Sequence, residues 1–412
     1  MFIPGAALRL AKKYAQPRLA GTTGDDEIVA DIGRFLDRCG YHVECPNFTF
    51  TSAPGIFIKL ELLLGAAVII SALWIRQRSV LLSTVSAILL LILLAAVPRA
   101  NRAILESSLQ KDGQSVLSRI CARLGKTYKT KNVVAASSAA GGNDSRIELI
   151  LMAHHDSKSQ AFPLIVRMLL FGIVFLAGFL FTMLTLLSIF FDLELAVLSV
   201  AVLAVVASIP LLLIGVGNDS PGAIDNASGM AIVLHLAEIL KRHEEILEKM
   251  KITILITGAE ELWTMGSEAY VRENLERLEL QAATAGLYVI NFEGIGVDGT
   301  MFLIDGKTCS GGEGNMPVAE AIRQAGESLG YRLRSLPLVG ALLDHQAFSE
   351  RDFCAATILG FGRDSWFVHT REDAPERLSV EGFDKAGRIA LGVIRVISGA
   401  LAGSETSSGK SG

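Results

Sequence analysis

A 412-residue chain that is 51% hydrophobic and only 19% charged is too apolar for an ordinary soluble protein. A formal net charge of −4, with no long run of Lys or Arg, removes the electrostatic case for a nucleic-acid partner. The five cysteines (Cys39, Cys45, Cys121, Cys309, Cys354) contain no CxxC, which argues against a zinc ribbon and favours free thiols over a Cys39–Cys45 pair.

Residues 1–20 carry Arg9, Lys12, Lys13 and Arg18 among short apolar stretches. There is no long apolar core and no cleavage site, so the segment predicts an amphipathic helix on the protein or a membrane surface, not a signal peptide. A helix is expected from Asp26 to Cys39, ended by Gly40, and a strand from Tyr41 to Phe50. Two apolar runs follow, Leu60 to Ile75 and Ser79 to Val97, joined by Arg76-Gln77-Arg78. A span needs about 20 apolar residues. The second run meets that and the first, edged by Lys59 and Glu61, is shorter; together they predict a transmembrane hairpin.

Glu106 to Leu124 reads as a surface helix, with strands at Asn132 to Ala136 and Ile147 to Ala153. A second apolar pair, Met168 to Phe191 and Leu195 to Val216, is broken only by Asp192-Leu193-Glu194 and predicts another hairpin. Helices are then expected at Ala227 to Lys241, Leu262 to Arg277, Val318 to Leu329 and Val380 to Leu401. Strands are expected at Ile252 to Thr257, Tyr288 to Phe292, Met301 to Ile304 and Ala355 to Leu359. This alternation predicts an α/β fold with a mostly parallel twisted sheet sandwiched by helices.

The motifs that carry chemistry cluster at expected strand ends. In Pro221 to Gly229, Pro and two Gly permit a tight turn that presents one carboxylate, Asp225. An Asp before a helix is ordinarily an N-cap. Its company points elsewhere: His154-His155-Asp156, Glu260-Glu261, Glu293 and His369 all stand at or just after expected strands. A paired-metal site needs a bridging carboxylate and terminal His or carboxylate ligands. Asp225 is the natural bridge, and His154 and His369 offer one nitrogen each, with His155 an alternative to His154. Asp156 is placed to fix the imidazole, and Glu293 is a further ligand candidate. Of Glu260 and Glu261, one carboxylate can bind metal while the other faces water, because neighbours in extended backbone point to opposite sides.

If His154 and Asp225 serve one site, the segment between them crosses the membrane an even number of times. The expected organisation is therefore one α/β domain in pieces (1–55, 99–162, 217–402), with hairpins at 56–98 and 163–216 and a disordered tail at 403–412. Lys59, Arg99, Arg102, Lys158 and Arg167 flank the domain side. The far turns carry Arg76 and Arg78 against Asp192 and Glu194, which favours a cytoplasmic catalytic domain.

The ordered set resembles the co-catalytic dizinc aminopeptidases of clan MH, which include bacterial leucyl aminopeptidase-like enzymes and relatives of glutamate carboxypeptidase. The matching stretches are Ala153 to Ser157, Pro221 to Gly229, Glu260-Glu261 with Gly266-Ser267, Asn291-Phe292-Glu293, Asp344-His345 with Phe348, and His369-Thr370 with Asp373; Arg18 to Thr22 resembles the family's start. The resemblance implies two zinc ions, one held by His154, Glu293 and Asp225 and the other by Asp225, Glu261 and His369. It implies peptide hydrolysis at a free N-terminus by a metal-bridging hydroxide, with Glu260 as general base and Asp344 and His345 on the substrate side. Glu293 departs from the Asp of many members, Leu343 from a common Ser, and the hairpins from the family as a whole. They add the bilayer as a partner beside the peptide substrate, and the second hairpin, set between two ligand loops, leads us to expect a site opening near the membrane. Other readings are a metal-free scaffold on the same fold, a transporter, and carboxypeptidase or cyclotransferase chemistry at the same site.

Overall fold

Residues 1–109, 115–137, 146–306, 316–336 and 342–408 are described by the computed structural model, in which the chain divides into two units. Met1–Phe48, Lys129–Ser159 and Gly217–Gly412 make the first; Thr49–Tyr128 and Gln160–Val216 make the second.

The strands in chain order are β1 His42–Glu44, β2 Asn47–Thr51, β3 Thr127–Lys131, β4 Val133–Ala136, β5 Ile147–His154, β6 Met250–Thr257, β7 Leu287–Glu293, β8 Gly299–Asp305, β9 Arg334–Ser335 and β10 Cys354–Gly362. Eight of them form one sheet in the order β1-β4-β6-β5-β7-β10-β8-β9, and β2 and β3 form a separate two-stranded sheet. The centre, β6-β5-β7-β10, is parallel; β1, β4 and β8 join antiparallel. β5 and β7 are buried along their whole length, as their unbroken apolar runs require when helices cover both faces of a sheet. On one face lies the helix Gly229–Leu240, in which every residue but Glu238 is buried. The stretch Ala223–Leu240 that contains it is apolar enough to cross a membrane, yet the helix packs into the largest core cluster with β5, β6 and β7. The helix Pro4–Tyr14 joins that core through Ala7, Ala11 and Tyr14, so the N-terminal segment lies on the protein. Because β5, β6 and β7 run parallel, they deliver His154, Thr257 and Glu293 to one edge of the sheet, where open α/β sheets bind ligands.

The second unit is built mainly from the helices Ala53–Arg76, Val80–Ser108, Leu164–Leu187 and Glu194–Leu213, all long and apolar enough to cross a membrane. Its polarity is inverted. Small residues (Ala72, Ala87, Ala177, Ala201, Ala204) and Phe181 fill the interior, while Leu63, Leu81, Leu176, Phe179 and Leu203 are exposed. Close packing through small side chains is how helices associate in lipid, where burial of apolar surface gives no drive. Thr182 Oγ donates across the helices to the Ala87 carbonyl at 3.3 Å.

Several boundaries differ from expectation. Pro46 lies between β1 and β2, which replace one expected strand. The helix expected from Glu106 to Leu124 is two: Val80–Ser108 runs on past Pro98, and Val116–Leu124 starts afresh behind a Ser115 cap. The Leu262 to Arg277 helix is likewise split into Met265–Glu273 and Leu275–Thr284. The last helix continues to Ser408, so the 403–412 tail is helical up to that point and lies outside the described residues beyond it. Among the described cysteines, Cys39, Cys45 and Cys121 are free, whereas Cys354 is disulfide-bonded.

Leu151, fully buried in β5, gives a test of this core. Leu151→Ala is expected to cost about 2–5 kcal/mol, read as a lower thermal midpoint in detergent. Leu203→Ala, on the exposed apolar surface of the second unit, is expected to leave the midpoint unchanged.

Candidate metal centre

His154 is the last residue of β5, and its ring is held on one side by Asp156, whose carbonyl lies 3.0 Å from Nδ1. A proton on Nδ1 leaves the Nε2 lone pair directed at the carboxylates. Nε2 stands 3.0 Å from Asp225 Oδ1, 3.3 Å from Glu293 Oε1 and 3.8 Å from Glu260 Oε2. The other oxygen of Asp225, Oδ2, lies 3.0 Å from His369 Nε2, which is 2.9 Å from Glu261 Oε2. Two trios result, His154-Asp225-Glu293 and Asp225-Glu261-His369, each with its ligand atoms within 4.8 Å of one another.

The loop that presents Asp225 is clamped from three directions. Asp373 accepts the backbone N–H groups of Ile224 at 2.7 Å and Asp225 at 3.2 Å. The buried Arg18 guanidinium donates to the carbonyls of His155, Pro221 and Gly222. Gly222 has φ +57°, and a Cβ there would meet Ser157 Cβ at 2.5 Å and the Asp225 carbonyl at 2.6 Å. Asp225 caps no helix; Ser228 is the N-cap of Gly229–Leu240. The Asp225–Asn226 peptide is cis. The Asn226 amide donates to Glu293 Oε2 at 3.2 Å and to the Phe292 carbonyl at 2.8 Å.

Glu260 and Glu261 follow β6 in a turn where Ala259, Trp263 and Thr264 all have positive φ, a costly conformation for such residues that the surroundings must enforce. Asp156 holds this turn, its carboxylate accepting the N–H groups of Glu260 at 3.0 Å and Glu261 at 3.2 Å. The two side chains diverge, Glu260 towards His154 and Glu261 towards His369. Glu261 also meets the Lys158 ammonium at 2.8 Å.

His155 faces away, with Nδ1 3.2 Å from Asp25 and Nε2 3.0 Å from the Lys131 carbonyl. Asp344 and His345 are both buried. Asp344 accepts from the Thr257 hydroxyl, and His345 Nδ1 lies 2.7 Å from Thr357 Oγ. Burial alone drops the His345 imidazole to about 4. Arg18, Lys158, Asn226 and Asp373 are supporting residues to which sequence reasoning gave no role in the site, although Arg18, Asn226 and Asp373 fell inside the matching stretches.

Among the described residues, Lys158 is the one Lys or Arg ion-paired with the four carboxylates Asp225, Glu260, Glu261 and Glu293, with the Arg18 guanidinium acting on Asp225 and Glu261 from further off. Without further cations, protons must share the load. Burial, then Asp225, raises Glu293 to about 8 against the pull of His154. Burial also lifts Glu260 well above the usual range, opposed by His154 and reinforced by Glu293, Glu261 and Asp344. Burial opposes ionisation of Asp225 as well, but the two histidines hold it well below its ordinary value. Burial raises Asp373 to about 7. A shared carboxylate, two imidazoles, surplus buried negative charge and an unpartnered Glu261 Oε1 form a donor set that fits a pair of divalent cations.

Residues 132–394, more than half of the chain, match the model of peptidase family M28. The chain belongs to peptidase family M28. All the residues of both trios fall within the M28 match. Over 180 residues the chain is 29% identical to Aminopeptidase YwaD of Bacillus subtilis (strain 168), covering 42% of this chain and 37% of that protein, so it spans little more than a third of the relative's length. The M28 fold is shared with an aminopeptidase from Aneurinibacillus sp. strain AM-1 (TM-score 0.54, 14% identity, 96% and 94% of the two chains covered). It is shared equally with a Fimbriiglobus ruber glutaminyl cyclase (TM-score 0.52, 13% identity, 96% and 95% covered).

The raised acids make stability depend on pH. An acid whose folded value lies above its unfolded one stabilises fully below the unfolded value and loses that contribution as pH rises through the folded one. With Asp373 at about 7 and Glu293 at about 8, protein stripped of divalent cations is expected to lose thermal stability between about pH 4 and pH 8. Zinc, which binds the deprotonated ligands, is expected to reverse that slope. Thermal midpoints across this range, with chelator and with zinc, check both signs.

Proposed function

We propose that this chain is a membrane-anchored dizinc aminopeptidase. The observation that carries the reading is the pair of trios sharing Asp225 through its separate oxygens. One zinc would be held by His154, Asp225 and Glu293, and the other by Asp225, Glu261 and His369. The chemistry supplied by such a bound pair is polarisation of the scissile carbonyl and a lowered pKa for water. Glu260 belongs to neither trio, yet its carboxylate lies 3.8 Å from His154 Nε2. It is the group placed to take a proton from the attacking water and hand it to the leaving amine. Asp156 positions both Glu260 and His154, so it acts through them. Asp344 and His345 shape the substrate side as buried supports of that wall.

Membrane anchoring is supported by the four long apolar helices of the second unit and their exposed large side chains. Two spans in each insertion return the chain to the side it left, and the Ser159–Gly217 backbone bridge, 2.8 Å in both directions, closes the second excursion. The positive flanks, Lys59, Arg99, Arg102, Lys158 and Arg167, favour a cytoplasmic catalytic unit. A second reading, cyclotransfer at the N-terminus, is favoured by the fold shared with a glutaminyl cyclase.

Hydrolysis of aminoacyl chromogenic substrates in detergent separates the readings. Wild type is expected to cleave free-amine substrates and spare their N-acetylated forms. Glu260→Gln is expected to lose at least about a hundredfold in kcat while keeping its zinc. Cyclisation of an N-terminal Gln peptide without aminoacyl hydrolysis would favour the second reading, and a fully active Glu260→Gln would remove Glu260 as the base.

A further inference from the structure

Among the described residues, one of the two trios has a Lys ammonium ion-paired with its Glu261 carboxylate and the other has no such pair. The Lys158 ammonium lies 2.8 Å from Glu261 Oε2, the same oxygen that His369 Nε2 approaches at 2.9 Å. It also donates to the Glu261 carbonyl at 2.9 Å. Lys158 is almost wholly buried, and its neighbour Ser159 is pinned by paired backbone hydrogen bonds to Gly217, so the side chain is set on Glu261 from a fixed point. Among the described residues no Lys or Arg is ion-paired with Asp225 or Glu293.

We infer that Lys158 makes the two metal positions unequal, neutralising Glu261 in the metal-free protein and weakening divalent-cation binding at Asp225-Glu261-His369. The physical reason is direct. A divalent ion entering this trio meets a like charge already seated on its ligand and must share Glu261 with it, in a buried setting where screening is poor. The His154-Asp225-Glu293 trio has no such competitor and fills first. Lys158 is therefore a positioning residue that sets how much free zinc the doubly loaded state requires. The inference rests on the dizinc reading.

Calorimetric titration of the metal-free full chain in detergent with zinc chloride tests it. Wild type is expected to bind two zinc ions, the second at least about tenfold more weakly than the first. Lys158→Met and Lys158→Gln, both uncharged, are expected to tighten the second event by about tenfold or more and leave the first unchanged, whereas Lys158→Arg keeps it weak. The neutral variants are also expected to have lower thermal midpoints without metal and larger gains at saturating zinc than wild type. A second event unchanged or weaker in both neutral variants would overturn the inference, as would two equal sites in wild type, and either leaves the dizinc reading standing. Wild type that binds no zinc overturns both.

Discussion

The structure depends on placing four carboxylates in one buried space and keeping them there. Asp225, Glu260, Glu261 and Glu293 would repel one another apart if each hung from a flexible loop. Instead, each is fixed by its backbone or by a neutral partner. Asp373 and Arg18 tie the Asp225 loop, Asp156 ties the Glu260-Glu261 turn, and Asn226 holds the free oxygen of Glu293. Burying these carboxylates together is unfavourable without cations, and the upward shifts of Glu260 and Glu293, set first by burial and then by neighbouring carboxylates, express that cost. A site that is costly when empty and rigid in shape is preorganised for metal.

The sheet makes this possible. Parallel strands with both faces covered end together, so residues far apart in sequence arrive at one edge without long connecting loops. The same edge accepts a long insertion, because Ser159 and Gly217 pair and the main sheet is not interrupted between them. The second unit thus packs through small residues with large apolar side chains outward, while the first unit buries its apolar side chains.

Much of this was legible in the sequence. The buried parallel strands are continuous apolar runs, and a polar or charged residue terminating each run marks the functional edge; His154 and Glu293 are of this kind. The long apolar segments announce their helices through composition alone. Less legible was anything that depends on a residue reaching across the fold. Arg18 looks like one more basic residue of an N-terminal helix, yet it reads the carbonyls of loops more than a hundred positions away. Asn226 and Lys158 have no local pattern to distinguish them, since their partners are set by the turn geometry of other segments. The split of the expected Glu106 to Leu124 helix turns on Ser115, whose capping bond to the Ser118 N–H outweighs helical spacing that runs across it. Similarly, apolarity alone would make the stretch Ala223–Leu240 a membrane span, and only the packing of its helix against three strands shows it to be core.

The central claim is that Asp225 is shared by two metal ions. Anomalous diffraction at the zinc edge from crystals grown with zinc tests it most directly. Two peaks are expected, one against His154, Asp225 and Glu293 and the other against Asp225, Glu261 and His369, about 3.5–4 Å apart. Peaks remote from Asp225, or none at a zinc concentration that saturates binding in solution, would contradict the account.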